Sequence, residues 1–90
     1  GEMSILSEIE FEVLDEVYFP TSVETITKNS MKPVDLIKAT LSSLLEKKFI
    51  HQMKFNEAMN DYERLITPDF SNFENYLYVA SKQGLLAHNG

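Results

Sequence analysis

Six lysines in one short stretch are the side chains of this sequence best suited to binding chemistry. They are Lys28, Lys32, Lys38, Lys47, Lys48 and Lys54. With only two acids among them, residues 28–54 have a net charge of +4. The remaining residues hold two basic side chains and twelve carboxylates, or −10, which completes the −6 of the whole chain. Clustered ammonium groups can neutralise phosphates or meet an acidic protein surface, so this polarity predicts a charged partner.

The sequence lacks the residue patterns of common enzyme classes. Its three glycines are too far apart for a glycine-rich phosphate loop, and neither G-x-S-x-G nor H-E-x-x-H occurs. Without cysteine there is no thiol nucleophile, disulfide or thiolate metal site. His51 and His88 are the only histidines, whereas zinc sites ordinarily need three or four protein ligands. We therefore predict a protein that is not an enzyme and that binds no metal and no small-molecule cofactor.

Length and composition are typical of one domain with a modest core. The chain has 90 residues, of which 43% are apolar, and this is enough for a single core without disulfides. Residues 1–90 are therefore expected to form one domain. No apolar run approaches the ~18 residues of a membrane-spanning helix, and residues 1–9 lack the basic start of a signal peptide. These features favour a cytoplasmic protein that does not bind membranes.

Apolar residues at helical spacing predict three helices in the first half of the chain. The first covers about residues 4–19 and ends before Pro20. The second is short, about residues 22–29, with a hydroxyl cap from Thr21 or Ser22. The third covers about residues 32–48, with Pro33 in its first turn. Its buried stripe consists of Val34, Ile37, Leu41, Leu44 and Leu45, and it centres on the last four of these residues.

The second half of the chain is predicted to form strands. Mixed apolar and polar residues indicate strands over about residues 49–55, 62–67 and 75–80, followed by a short helix over about residues 81–88. Residues 56–75 are either an extended hairpin or a loop that covers other elements, and the sequence leaves both possibilities open.

This order of elements resembles a winged helix-turn-helix domain. LLEKKFI at residues 44–50 is similar to the LLEKGLI run that ends the recognition helix of bacterial winged-helix transcriptional regulators. YVASKQGLL at residues 78–86 is similar to the Y-x-L-T-x-K-G run that ends the wing of these regulators, for example in the multiple-antibiotic-resistance-regulator and PadR-like groups. The resemblance implies an α+β fold in which three helices precede a two- or three-stranded antiparallel wing and a short C-terminal helical turn. Lys48 replaces the usual glycine, so we expect the third helix to end differently from a glycine-terminated one.

The resemblance implies a small transcriptional-regulator-like protein that binds duplex DNA. In such folds the third helix enters the major groove, and phosphate contacts supply much of the affinity. The predicted DNA-binding residues are Lys32, Lys38 and Lys54, with hydrogen bonds from Asn29, Ser30 and Ser42. The helical wheel also places carboxylates on the outward face of this helix, which has no arginine to contact guanine.

The alternative is an acidic winged-helix module that binds a protein, or a second copy of itself, without binding DNA. Phe11, Leu14 and Tyr18 form a second apolar stripe on the first helix, roughly 100° from the stripe that starts at Leu6. The wheel also places Leu36 on the outward side of the third helix. These four residues are the predicted interaction patch, unless residues 56–75 cover them and make them part of the core.

Overall fold

The first helix begins at a serine that satisfies its free backbone groups. In the computed structural model, which describes residues 6–89, helix α1 covers Glu8–Glu16. The Glu10 N–H donates to Ser7 Oγ at 3.2 Å, and the Ser7 N–H donates to Glu10 Oε1 at 2.9 Å, which is a capping box. The helix predicted over residues 4–19 is therefore shorter at both ends, although residues 4 and 5 lie outside the described part of the chain.

Helices α2 and α3 are joined by a tight turn. Helix α2 covers Val23–Ser30 and starts at Ser22, whose hydroxyl accepts from the Thr25 N–H at 3.1 Å. Helix α3 covers Val34–Glu46 and starts directly after Pro33, two residues inside each predicted end. Four of the five predicted core residues of α3, Ile37, Leu41, Leu44 and Leu45, are buried. The prediction is wrong for Val34, which is exposed in the first turn of the helix.

Helix α3 ends in a left-handed turn at Lys48, whose φ is 65°. The Lys48 N–H donates to the Leu45 carbonyl at 3.0 Å, and the Phe49 N–H donates to the Leu44 carbonyl at 2.9 Å. This pair of bonds is the Schellman motif that usually contains glycine. The expectation of a different helix end is therefore wrong: lysine itself adopts the left-handed conformation here.

Four antiparallel strands form one sheet in the order β1-β4-β2-β3. They are β1 (Thr21–Ser22), β2 (Ile50–Asn56), β3 (Asp61–Arg64) and β4 (Leu77–Ala80). Strands β2 and β3 form a hairpin in which Phe55 lies opposite Tyr62. The sequence did not predict β1. The strands predicted over residues 62–67 and 75–80 are both shorter in the structure. The second begins later than predicted because Phe73–Asn75 is a 3-10 helix.

Residues 56–75 combine the two predicted alternatives, because the hairpin is followed by a covering loop. The buried Gln52 amide fastens this loop by donating to the Asp69 carbonyl at 2.9 Å and accepting from the Asp69 N–H at 2.7 Å. The Tyr78 hydroxyl donates to the Phe73 carbonyl at 2.8 Å. Phe73 thereby reaches the hydrophobic core, beside the helices and the buried face of the sheet.

Helix α4 (Lys82–Asn89) packs against the end of α3 through a close backbone approach. Ser81 Oγ donates to the Lys48 carbonyl at 2.8 Å and accepts from the Gly84 N–H at 3.0 Å. A Cβ atom on Gly84 would lie 2.0 Å from the Phe49 carbonyl oxygen, so only glycine fits. In residues 6–89, no helix has both the length and the apolar character needed to cross a bilayer.

Candidate interaction surface

A nearly buried carboxylate joins α1 to α3. Glu10 accepts from Lys47 Nζ at 2.8 and 2.9 Å and from Ser43 Oγ at 2.5 Å. Burial alone raises the pKa of Glu10, but the hydrogen bonds from Lys47, Ser43 and the Ser7 backbone outweigh it and hold the pKa below its ordinary value. Lys47 and Ser43 therefore serve the contact between the two helices.

Two of the lysines predicted to bind phosphate also lie near carboxylates. Lys38 forms an ion pair with Glu74 of the 3-10 helix, and Lys32 Nζ is 3.9 Å from Glu12 Oε1. The hydrogen bond from Lys38 holds the pKa of Glu74 below its ordinary value. With Lys47, three lysines of the basic stretch have a carboxylate within 4 Å. Much of its positive charge is used inside the domain.

The structure distributes the other predicted DNA-binding residues over separate elements. Asn29 donates to Glu16 Oε1 at 3.0 Å, and the Ser30 hydroxyl donates to the Thr27 carbonyl at 3.3 Å. Ser42 is half-buried on α3, whereas Lys54 is exposed on β2. The turn between α2 and α3 brings Asn29, Ser30 and Lys32 together, but Lys54 belongs to the hairpin.

The outward face of α3 is acidic and apolar. The exposed residues of this helix are Val34, Asp35, Leu36, Ala39 and Glu46. None of them is basic, so the face that a winged-helix protein would direct at DNA carries negative charge. The carboxylates predicted there by the helical wheel are exposed.

The predicted interaction patch does not form as a continuous surface. Leu14 is buried in the core, so its inclusion in an exposed patch is wrong. Phe11 stacks on the His88 ring with 4.1 Å between ring centroids, and the Tyr18 hydroxyl lies 2.8 Å from His88 Nδ1. Helix α4 therefore covers part of the second stripe of α1. Phe11 and Tyr18 nevertheless remain partly exposed, as does Leu36 on α3.

The β2–β3 hairpin carries an exposed aromatic pair that the sequence did not single out. The rings of Phe55 and Tyr62 meet edge to face with centroids 5.2 Å apart, and the two residues remain 44% and 47% exposed. Met59, in the turn, is 71% exposed. The alternation of side chains along a strand predicts the face of the sheet on which each ring lies. The contact between the two rings also requires the strand register that places Phe55 opposite Tyr62.

Acidic residues lie in the same hairpin as this aromatic pair. Residues 54–63 contain Glu57, Asp61 and Glu63 but only one cation, Lys54, which lies opposite Glu63. This part of the hairpin therefore has a net charge of −2. Exposed aromatic rings on a hairpin with net negative charge suit contact with a protein better than contact with a phosphate backbone.

Comparison of the chain with family models, with curated proteins and with solved structures gave no match in any of the three. Within the described residues, no group of three His, Cys, Asp or Glu side chains could hold a metal ion. The absence of enzymatic activity and of a metal or cofactor remains a prediction from the sequence.

Proposed function

We propose that this chain is a non-enzymatic winged-helix module that binds another protein through its β2–β3 hairpin. The winged-helix assignment is supported by the order of α1, β1, α2 and α3 followed by a hairpin, and by the pairing of β1 with β4. The Schellman turn at Lys48 and the close packing of Gly84 also suit it, because they fall within the two segments of local resemblance. We place this cysteine-free protein in the cytoplasm.

The observation that carries the interaction role is the exposed Phe55–Tyr62 pair. The rings of Phe55, on β2, and Tyr62, on β3, contribute little to the core because both residues are exposed. Aromatic side chains are enriched at the centres of protein interfaces, where they bury a large area at low entropic cost. An aromatic pair on a projecting hairpin is therefore available to a partner.

Charge complementarity defines the chemistry of that partner. The net negative charge of residues 54–63, to which Glu57, Asp61 and Glu63 contribute, favours a segment that flanks an apolar anchor with lysine or arginine. The −6 charge of the whole chain would also attract a basic protein over distance. The partner is thus a basic segment with at least one large apolar side chain.

A random peptide library displayed on phage provides a direct test. Peptides selected on the wild-type chain should combine apolar anchors with Lys or Arg, and a double variant, Phe55→Ser with Tyr62→Ser, should bind them at least tenfold less tightly. The matched control is Phe19→Ser, because Phe19 is exposed in the segment after α1. Selected peptides that bind wild type and the double variant equally would contradict this role, as would a selection that yields no peptide.

DNA binding is the second candidate function, and the exposed Lys28 and Lys54 favour it. Neither has a carboxylate within 4 Å among residues 6–89, so both can contact phosphates. With Lys32, Asn29 and Ser30 at the α2–α3 turn, about three phosphate contacts would give a slope of roughly −3 for log K against log salt. Anisotropy titration of a mixed-sequence duplex at two salt concentrations tests this, and Lys54→Gln should reduce the slope. Absence of binding at low salt would exclude the DNA role.

A further inference from the structure

A cavity of about 350 Å³ lies where α3, α4, β2 and the segment after β3 meet. Its walls include Leu45, at the end of α3, and Gln83, in the first turn of α4. From the sheet side come Ile50 and His51, and Leu65 and Pro68 follow β3. The volume is at the lower end of the range typical of ligand sites, so the cavity suits a small molecule.

The charged groups that line this cavity are all basic. Lys48 and Arg64 contribute cations, and no Asp or Glu belongs to its walls. Neither cation has a carboxylate within 4 Å in the described part of the chain. In a protein with fourteen acids and eight bases, two cations without acidic partners at one cavity leave a local positive charge that an anion can neutralise.

His51 orients the arginine of this pair. Arg64 Nη1 lies 3.1 Å from His51 Nε2. Burial lowers the pKa of His51, and the positive charge of Arg64 lowers it further. The imidazole is therefore neutral at pH 7, and its Nε2 accepts a hydrogen bond from the Arg64 guanidinium. The other N–H groups of the guanidinium remain available to another acceptor.

The backbone of Lys48 is left-handed, as are those of Met31 and Asn60, and of these three residues Lys48 lines the cavity. A left-handed conformation costs an L-residue of this kind free energy that glycine avoids, and glycine is the usual residue at this point of a Schellman motif. Strained positions that retain a functional side chain are concentrated at binding sites. The ammonium group of Lys48 is the feature that glycine could not supply.

Apart from the amides of Gln52 and Gln83, the rest of the cavity is aliphatic. Leu45, Ile50, Leu65, Ile66 and Pro68 form its apolar walls, and no aromatic ring is among them. Ile66 is 99% exposed, which is unusual for a large aliphatic side chain next to a cavity. A ligand with an aliphatic body would cover Ile66 and so remove apolar surface from water.

We propose that this cavity binds a small aliphatic carboxylate, with its anionic group between Lys48 and Arg64 and its chain against Leu65 and Ile66. Arginine and lysine both form charge-assisted hydrogen bonds with carboxylates, and arginine does so with two parallel donors. The Gln83 amide at the wall offers a further donor. This site is separate from the Phe55–Tyr62 pair and does not depend on the function proposed above.

Titration with octanoate, followed by 1H–15N NMR, tests the proposal. Octanoate should bind saturably and shift the amide signals of residues 48–51, 64–67 and 83. Octanamide has the same chain without the charge, and inorganic phosphate has the charge without the chain, so each should bind at least tenfold more weakly. Equal binding of octanoate and octanamide would reduce the site to a hydrophobic crevice, and equal binding of phosphate would make it a general anion site. Either result would overturn the proposal, as would the absence of saturable octanoate binding.

Charge-removing variants locate the anion. Lys48→Gln and Arg64→Gln should each weaken octanoate binding by roughly tenfold, the usual effect of losing one charge-assisted contact. Lys82→Gln is the matched control, because Lys82 is an exposed cation of α4 that does not line the cavity. Since Lys48 and Arg64 are themselves exposed, both variants should retain the wild-type NMR dispersion. Equal losses in Lys82→Gln and the two cavity variants would contradict the site.

Discussion

Glu10 Oε1 lies 2.8 Å from Lys47 Nζ, and this ion pair joins the first turn of α1 to the end of α3. The Glu10 side chain is almost completely buried, whereas Lys47 is partly exposed. The pair explains why a lysine predicted to add to a basic surface instead stabilises a helix contact. The Ser7 N–H and the Ser43 hydroxyl also donate hydrogen bonds to the Glu10 carboxylate. Removing the lysine would therefore leave this carboxylate with only part of its hydrogen bonds.

Lys47→Met is expected to lower the free energy of unfolding by about 1–3 kcal/mol. This is the usual cost of removing one partner from a buried, charged hydrogen bond. Urea denaturation followed by circular dichroism gives the value. Lys28→Met is the matched control and should change stability by less than about 0.5 kcal/mol, because Lys28 is exposed and lacks a carboxylate within 4 Å in residues 6–89. Equal effects of the two substitutions would show that the Glu10–Lys47 pair contributes little.

Gly84→Ala is expected to destabilise the domain by about 1–3 kcal/mol or more. The added Cβ would lie 2.0 Å from the Phe49 carbonyl oxygen, and the clash involves backbone that cannot move without breaking the Ser81–Lys48 hydrogen bond. Thermal unfolding measures the loss. The neighbouring Gln83→Ala should be nearly neutral because Gln83 is exposed. A Gly84→Ala variant that melts with the wild type would show that α4 does not pack on the end of α3.

The sequence predicted the helical half of the domain better than the sheet. The α3 stripe needs only local spacing, and four of its five residues are buried as predicted, whereas Val34 is exposed. Strand β1 has two polar residues, Thr21 and Ser22, and forms only because β4 pairs with it from the far end of the chain. A strand of that length has no periodic pattern that sequence analysis could detect.

Surface roles were less predictable because they depend on contacts between residues far apart in sequence. Lys38 was predicted to contact phosphate, yet it meets Glu74, which the loop fastened by Gln52 and Asp69 brings to α3. Likewise, Lys48 and Arg64 show no sequence relationship, but they line one cavity. Charge counts identify how many cations a segment has, whereas the fold decides which of them remain unpaired.

Acid sensitivity should depend on Asp69. Hydrogen bonds from the Tyr76 hydroxyl, at 2.6 Å, and from the backbone of Ser71 lower the pKa of Asp69 from 3.8 to about 2. The folded state therefore releases this proton more readily than the unfolded state. The stabilisation from ionised Asp69 is complete above pH 3.8 and is lost as the pH falls towards 2.

Asp69→Asn should consequently be less stable than wild type at pH 6, and the difference between their melting temperatures should shrink between pH 4 and pH 2. Thermal melts at a series of pH values give that difference directly. Asp35→Asn is the control for general charge effects, since Asp35 is exposed and belongs to α3 rather than to this loop. A difference between wild type and Asp69→Asn that stays constant from pH 6 to pH 2 would contradict the assigned role of the carboxylate.

Lys48→Gly should stabilise the fold while it weakens ligand binding. Glycine adopts a φ of 65° without the cost of about 1 kcal/mol or more that a lysine incurs there, although its greater freedom in the unfolded state offsets part of this gain. We expect a net gain of up to about 1 kcal/mol in urea denaturation. Glu46→Gly, two residues earlier in the last turn of α3, should instead lose about 0.5–1 kcal/mol. Because the same lysine supplies a cation to the cavity, Lys48→Gly should also lose octanoate affinity. A variant that is both more stable and equally able to bind octanoate would show that the strain at Lys48 has no connection with the anion site.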